Sequence, residues 1–273
     1  MRYPTVLSIA GSDSCAGAGI QADLKTMSAL GVYGCTAITA ITAQNTTGVR
    51  SIQGIDPSIL KDQIEMLFDD IEIDAVKSGM LFSKASVEVI ADAISKHKPK
   101  FYVLDPVMIS TSGSRLIDND AIVAVKELLF PLSTLLTPNI KEAEVLSGIS
   151  IKTTDDMEAA AEKILQAGSK AVLIKGGHLK GTEAVDMLFE AGKDGIGVRT
   201  PFIETNNTHG TGCTLSSAIA SYLAMGEDLR SAFMSAKDYI IHALYGGKEM
   251  EIGHGHGPVD HFYMLPHASF TKQ

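Results

Sequence analysis

Short β-branched runs alternate with longer stretches in which apolar residues recur every three to four positions, along nearly the whole chain. Thr5-Val6-Leu7-Ser8-Ile9-Ala10 reads as a strand that runs into a Gly-rich loop. Residues 20–30 read as a helix closed by Gly31. Residues 36–43, made of Thr, Ile and Ala, read as a second strand. Pro57 opens a helix to about residue 70, with Leu60, Ile64, Leu67 and Phe68 near helical spacing. Strands are predicted at 73–77, 101–104, 133–136 and 171–174, and helices at 84–97, 118–130, 141–146 and 154–167. Two later strands (184–189 and 197–200) and two helices (213–224 and 228–245) precede a Gly/His tail.

Repeated strand–helix units predict an α/β fold: one mostly parallel sheet with helices on both faces. No Pro/Ser/Gly linker, low-complexity block or internal repeat interrupts it, so residues 1–273 are expected to form a single domain. In such sheets ligands gather outside the C-terminal strand ends. Polar and Gly-rich residues fall there repeatedly: after the first strand, at Gln44-Asn45, at Ser78-Gly79, at Asp105, at Asn139, at Lys175-Gly176 and before Cys213.

Composition narrows the field. The 45% hydrophobic and 20% charged content suits a soluble globular protein, and the absence of Trp leaves aliphatic side chains to fill the core. A net charge of −9 argues against broad nucleic-acid or anionic-membrane binding. The three cysteines, Cys15, Cys35 and Cys213, form neither a disulfide framework nor a zinc cluster. No apolar run is long enough to span a bilayer, and a cytoplasmic home with reduced thiols is expected.

Candidate chemistry starts at Asn206-Asn207-Thr208-His209-Gly210-Thr211-Gly212-Cys213, which runs into an apolar helix. A helix start carries unpaired N–H groups and partial positive charge, so it is a ready anion site, here with one thiol in the same turn. The loop from Gly11 to Gly19 allows close backbone approach, but Gly17-x-Gly19 alone matches neither a dinucleotide fingerprint nor a Walker motif. Asp23, in the first turn of the helix read over 20–30, either complements that helix's dipole or accepts hydrogen bonds from a substrate hydroxyl or amine. Gln44 either bonds a neighbouring loop or reads the alternating acceptor and donor edge of an aminopyrimidine. Asp105-Pro106 ends a strand where a carboxylate is able to orient Mg²⁺. Asn139 and Glu142 have capping-box spacing, and Glu142 either only caps or also faces a cleft. Lys175 and Lys237 either meet phosphate or solvate an element's end. The His254-Gly255-His256 tail is too flexible to preorganise a transition metal.

Together, Ala10-Gly11-Ser12-Asp13-Ser14, Gly19-Ile20-Gln21-Ala22-Asp23, Ala40-Ile41-Thr42-Ala43-Gln44-Asn45-Thr46, Asn139-x-x-Glu142, Lys175-Gly176-Gly177-His178, Thr208-His209-Gly210-Thr211-Gly212-Cys213 and Gly255-His256-Gly257-Pro258-Val259 resemble the hydroxymethylpyrimidine/phosphomethylpyrimidine kinases of thiamin biosynthesis, in the ribokinase-like superfamily. That resemblance implies a three-layer α/β/α sandwich, a homodimer, and two ATP- and Mg²⁺-dependent phosphorylations. The first acts on 4-amino-5-hydroxymethyl-2-methylpyrimidine and the second on its monophosphate. It implies that Asp23 and Gln44 bind the aminopyrimidine in a pocket lined by Gly11, Met80 and Val107. Asp105 and Glu142 would organise Mg²⁺, and Gly210, Thr211 and Gly212 would form an anion hole. Asn139, Lys175 and Lys237 would contact the nucleotide, and residues 108–116 resemble a closing flap. Sugar kinases of the superfamily carry Asp where Cys213 stands. A helix N-terminus and nearby cations are expected to lower this thiol from its ordinary pKa of about 8.5, fitting it to accept the hydroxymethyl proton. A pyridoxal kinase is the nearest alternative, and a non-catalytic pyrimidine-binding regulator a more distant one.

Overall fold

The computed structural model describes residues 1–108, 116–177 and 183–266. All nine strands found there belong to one sheet. Along the chain these are β1 (Thr5–Asp13), β2 (Tyr33–Asn45), β3 (Gly48–Gly54), β4 (Ala75–Ser78), β5 (Phe101–Leu104), β6 (Leu135–Leu136), β7 (Ala171–Ile174), β8 (Glu183–Glu190) and β9 (Ile196–Pro201). Their order across the sheet is β3-β2-β1-β4-β5-β6-β7-β8-β9. The six strands from β2 to β7 in that order run parallel, and β3, β8 and β9 are added antiparallel at the edges.

The helices are α1 (Gly19–Ala29), α2 (Pro57–Asp70), α3 (Lys84–His97), α4 (Asn119–Ala124), α5 (Ile140–Ser147), α6 (Thr154–Gln166), α7 (Thr211–Ala224) and α8 (Leu229–Gly247). Alternation along the strands assigns them to layers. Leu7, Ile9, Val76, Leu104, Val172 and Ile174 pack on one face with residues of α2 to α6. Val6, Ala75, Val103, Ala171 and Leu173 pack on the other with α7, α8 and Met27 of α1. Fully buried Phe233 of α8 shows the scale, since burying such a ring contributes about 1.5–3 kcal/mol. The expected three-layer α/β/α sandwich is therefore present.

Two departures from the expected elements have local causes. The edge strand β3 reads Gly48-Val49-Arg50-Ser51-Ile52-Gln53-Gly54, too polar to stand out, and it forms by pairing back onto β2. The predicted helix over 118–130 is broken: α4 ends at Ala124, a π turn covers Val125–Leu129, and a short 3₁₀ turn covers Phe130–Leu132. Pro131 has no N–H to continue an α-helical ladder. Among the described residues, no helix is long and apolar enough to cross a membrane.

Candidate active site

Parallel strands deliver their C-terminal ends to one edge, and a cleft of about 710 Å³ opens there. Gly11, Gln44, Met80, Val107, Asp105, Asn139, Glu142, Lys175, Lys237, Gly210, Thr211, Gly212 and Cys213 all line it. The exception among the residues singled out from sequence is Asp23. It is completely buried, and both of its carboxylate oxygens are taken by Lys77 at 2.9 Å, with Ser8 and Ser217 donating at 2.6 Å each. The expected contact between Asp23 and an aminopyrimidine is therefore corrected: α1 turns this side chain inward, beneath the cleft. Of the expected flap, residues 109–115 lie outside the described residues, as does His178; Met108 and Leu116 are joined by a 2.9 Å backbone hydrogen bond.

At one end of the cleft, Gln44 closes β2 beside His209. His209 Nε2 lies 2.8 Å from Asp13 Oδ2 and 3.3 Å from Gln44 Nε2. Burial works to raise the Asp13 carboxyl, but His209 and the N–H groups of Ala18 and Cys15 hold it below its ordinary value. An ionised Asp13 requires the hydrogen on His209 Nε2, so Gln44 cannot donate to that nitrogen. The contacts are satisfied when the carboxamide is turned over. Gln44 Oε1 then faces the Nε2–H, and its NH₂ faces Thr42 Oγ1, which itself donates to the Ser12 carbonyl at 2.9 Å. Either way Gln44 keeps one donor and one acceptor position for a ligand. Sequence reasoning gave Asp13 and His209 no individual role.

In the middle stands the start of α7. Gly210 caps it with φ 78°, and a Cβ there would fall 1.8 Å from the Gly17 carbonyl. Two glycine-rich loops meet at this point, and only a residue without a side chain fits the contact. Thr211 spends its N–H (3.2 Å) and its hydroxyl (2.7 Å) on the Thr208 carbonyl. The first intrahelical bond is Thr214 N–H to Gly210 O, so the N–H groups of Gly212 and Cys213 have no intrahelical acceptor. Of the expected anion hole, Thr211 has its N–H on the Thr208 carbonyl, while Gly210 and Gly212 line the cleft beside Cys213. The tail docks beside it, with His209 N–H on the Gly257 carbonyl (3.0 Å) and His256 N–H on that of Thr46 (2.9 Å).

The Cys213 thiol contradicts its expectation. Burial pushes it up to about 11; Lys77 acts to lower it, while Asp23 and Asp105 raise it. Desolvation of a thiolate outweighs the nearby cations and the Gly19 N–H here.

Toward the far end, Lys175 donates to Asp105 at 2.8 Å, and Thr137 and Ser216 complete the Asp105 shell. Burial acts against the Lys175 charge, but Asp105 and Glu142 raise this ammonium above its ordinary value. Glu142 does both things its sequence allowed. It forms the capping box with Asn139 at 2.8 and 3.0 Å, and it faces the cleft. Burial pushes its carboxyl up to about 7; Lys175 opposes the rise and Asp105 adds to it. Lys237 reaches the cleft from α8 and pairs with Asp186 at 2.7 Å, which also accepts the Gly176 N–H at 2.8 Å. Lys77 carried a sequence signal in being the lone charge inside the apolar strand β4, and Asp186 in being the one charge within the apolar middle of β8.

The profile of the phosphomethylpyrimidine kinase family matches residues 13–260. The chain belongs to that family. It is 49% identical over 260 residues to the hydroxymethylpyrimidine/phosphomethylpyrimidine kinase of Rhizobium meliloti, covering 94% of this chain and 96% of the relative. It is 48% identical over 257 residues to a thiamine biosynthesis bifunctional protein of Geobacter sulfurreducens, covering 94% of this chain but 52% of that longer protein. It therefore spans about half the length of the bifunctional relatives and nearly all of the single kinases. Among solved structures, an ADP complex of Bacillus subtilis pyridoxal kinase superposes with a TM-score of 0.89 at 38% identity, covering 96% of this chain and 99% of that one. The protein is a ribokinase-like phosphotransferase, and the cleft is its candidate active site.

Proposed function

We propose that this kinase transfers phosphate from ATP first to the hydroxymethyl group of 4-amino-5-hydroxymethyl-2-methylpyrimidine and then to the resulting monophosphate. The observation that carries this reading is a single cleft. It joins a ring-sized end, with Gln44, Met80 and Val107, to a charged end, with Lys175 and Glu142, through the open N–H groups and thiol of α7. Gln44 offers the donor and acceptor that an aminopyrimidine edge requires. ATP, when bound with Mg²⁺, supplies the phosphoryl group and an electrophilic clamp on it. Asp105 and Glu142 fit such a cation, because both are buried carboxylates on the cleft and Asp105 helps push the Glu142 carboxyl up, a repulsion that a divalent ion relieves.

The Cys213 thiolate accepts the alcohol proton as the substrate oxygen bonds to the γ-phosphorus, whose bond to the bridging oxygen breaks to release ADP. With the thiol pushed up to about 11, only a small thiolate fraction serves at neutral pH, so the alcohol step speeds up as pH rises. The monophosphate is already an anion above its second pKa of about 6 and requires alignment but no base. The superposition on a pyridoxal kinase favours pyridoxal as a second, slower alcohol substrate.

The test is a coupled assay on the hydroxymethylpyrimidine, its monophosphate and pyridoxal, with wild type and Cys213→Ala. Wild type is expected to turn over both pyrimidines and to outpace its own reaction with pyridoxal. Cys213→Ala is expected to lose about 10²–10⁴-fold in the alcohol step and little in the second. No turnover of either pyrimidine would overturn the reading, and equal loss in both steps would reduce Cys213 to packing.

A further inference from the structure

The Gln44 carboxamide lies between two side chains whose own hydrogen bonds leave it one orientation. On one side, Asp13 at the end of β1 accepts the N–H groups of Cys15 (2.8 Å), Ala18 (2.9 Å) and Gly17 (3.1 Å). Three N–H donors aimed at one carboxyl fix it as an acceptor, so His209 Nε2, 2.8 Å from Asp13 Oδ2, carries a hydrogen whether the ring is neutral or charged. The ring is seated for this contact. The His209 N–H is on the Gly257 carbonyl, and the imidazole lies so close to Gly17 that a Cβ there would fall 2.3 Å from His209 Cδ2. On the other side, Thr42 has one hydroxyl hydrogen, which the Ser12 carbonyl takes at 2.9 Å, so Thr42 Oγ1 is left to accept from Gln44 at 3.1 Å. Both neighbours therefore demand Gln44 Oε1 toward His209 and its NH₂ toward Thr42. The Gln44 backbone is clamped as well: its N–H is on Ser14 Oγ at 2.9 Å, and its carbonyl accepts from the same hydroxyl at 2.7 Å.

The order of acceptor and donor at the carboxamide tip decides which way a flat ring lies. In the aminopyrimidine, the 4-amino donor stands between the ring nitrogen N3 and the carbon that bears the hydroxymethyl group. With Oε1 on the His209 side, the amino group lies on that side and N3 on the Thr42 side. The hydroxymethyl group then extends past His209 toward Gly210 and the start of α7. The opposite carboxamide would turn the ring over and carry the hydroxymethyl group away from Cys213.

We propose that His209, locked by Asp13, is a positioning residue that fixes the acceptor–donor order of Gln44, and so selects a ring with an amino group beside a ring nitrogen over one with the reverse pattern. The selection rests on the reading that Gln44 meets the substrate ring, but the carboxamide's orientation is measurable without any ring.

The first measurement is nuclear Overhauser spectroscopy of the ligand-free protein with isotope-labelled glutamine. The Gln44 side-chain NH₂, identified by its loss in Gln44→Ala, is expected to show a stronger contact to the Thr42 methyl than to the His209 ring. The reverse order overturns the proposal. The second is calorimetric binding, without ATP, of the aminopyrimidine and of its 4-oxo analogue, whose lactam presents N3–H and C4=O in the reverse order. Wild type is expected to favour the aminopyrimidine by about 10²–10³-fold, because the analogue leaves two polar pairs mismatched. His209→Leu is expected to cut that preference at least about tenfold by binding the analogue better, while His209→Gln, which keeps an N–H donor, restores it. Equal weakening of both rings in His209→Leu marks a merely structural role and overturns the proposal. Where His209→Leu does not fold, Thr42→Val frees the other side of the carboxamide and is expected to lower the preference too; an unchanged ratio there overturns it. If the Overhauser order holds while wild type binds neither ring, or Gln44→Ala keeps the wild-type preference, His209's hold on Gln44 stands and the reading of Gln44 as the ring's partner falls.

Discussion

Glu142 shows how one side chain answers to two demands. Its place three residues after Asn139 makes it half of a capping box, and the cleft makes it a buried acid. Burial pushes the folded carboxyl up to about 7 from its ordinary 4.5, so between those values the native state binds more protons than the unfolded one. Stability contributed by this group is therefore lost as pH rises from about 4.5 to 7. Glu142→Gln keeps an acceptor for the Asn139 N–H but cannot ionise. The variant is expected to gain on the order of 1–3 kcal/mol over wild type at pH 8 relative to pH 4.5. Denaturant unfolding of the ligand-free protein at both pH values measures this, and a pH-independent difference would contradict it. Asp23 makes the complementary point. A carboxylate near a helix start looks the same in sequence whether it faces a ligand or a buried lysine, and only the packing of α1 on β1 and α7 distinguishes them.

At the scale of elements, most of the sheet was readable because period-two burial and strand-end polarity are local patterns. The missed strand β3 and the broken helix after α4 are not of that kind. One depends on a partner strand, the other on a single proline acting against a good amphipathic pattern. The turn into α7 depends on another element too. Gly210 needs its positive φ, and it needs the Gly17 carbonyl to find no Cβ in its way. Gly210→Ala is expected to destabilise the protein by at least about 1–3 kcal/mol and to depress both phosphorylations together, since the displaced turn carries the anion donors for each. Thermal unfolding alongside both assays tests it. Loss confined to the alcohol step would mean that the turn serves only the thiol.

For the whole molecule, the cleft is built from nearly every connection at one sheet edge, from β1 to α8. A ligand bridging them must stabilise the fold as a unit. ADP with Mg²⁺ at about 100 times its dissociation constant is expected to add about 2.7 kcal/mol, read as a rise of several degrees in Tm. The rise should shrink when the metal is chelated and in Lys175→Met. A Tm indifferent to nucleotide would argue that the charged end of the cleft does not hold it.

The sequence by itself determined the layered α/β order, the sheet edge where chemistry gathers, and the residue types that gather there, because each follows from periodicity or from a motif contiguous in the chain. Tertiary structure decided which of those residues face the cleft and what charge each carries. It turned Asp23 inward onto Lys77, and pushed Glu142 and Cys213 up where sequence suggested an ionised acid and an activated thiol. Burial and the distances between distant residues set proton affinity, and neither is encoded in any local stretch of the chain.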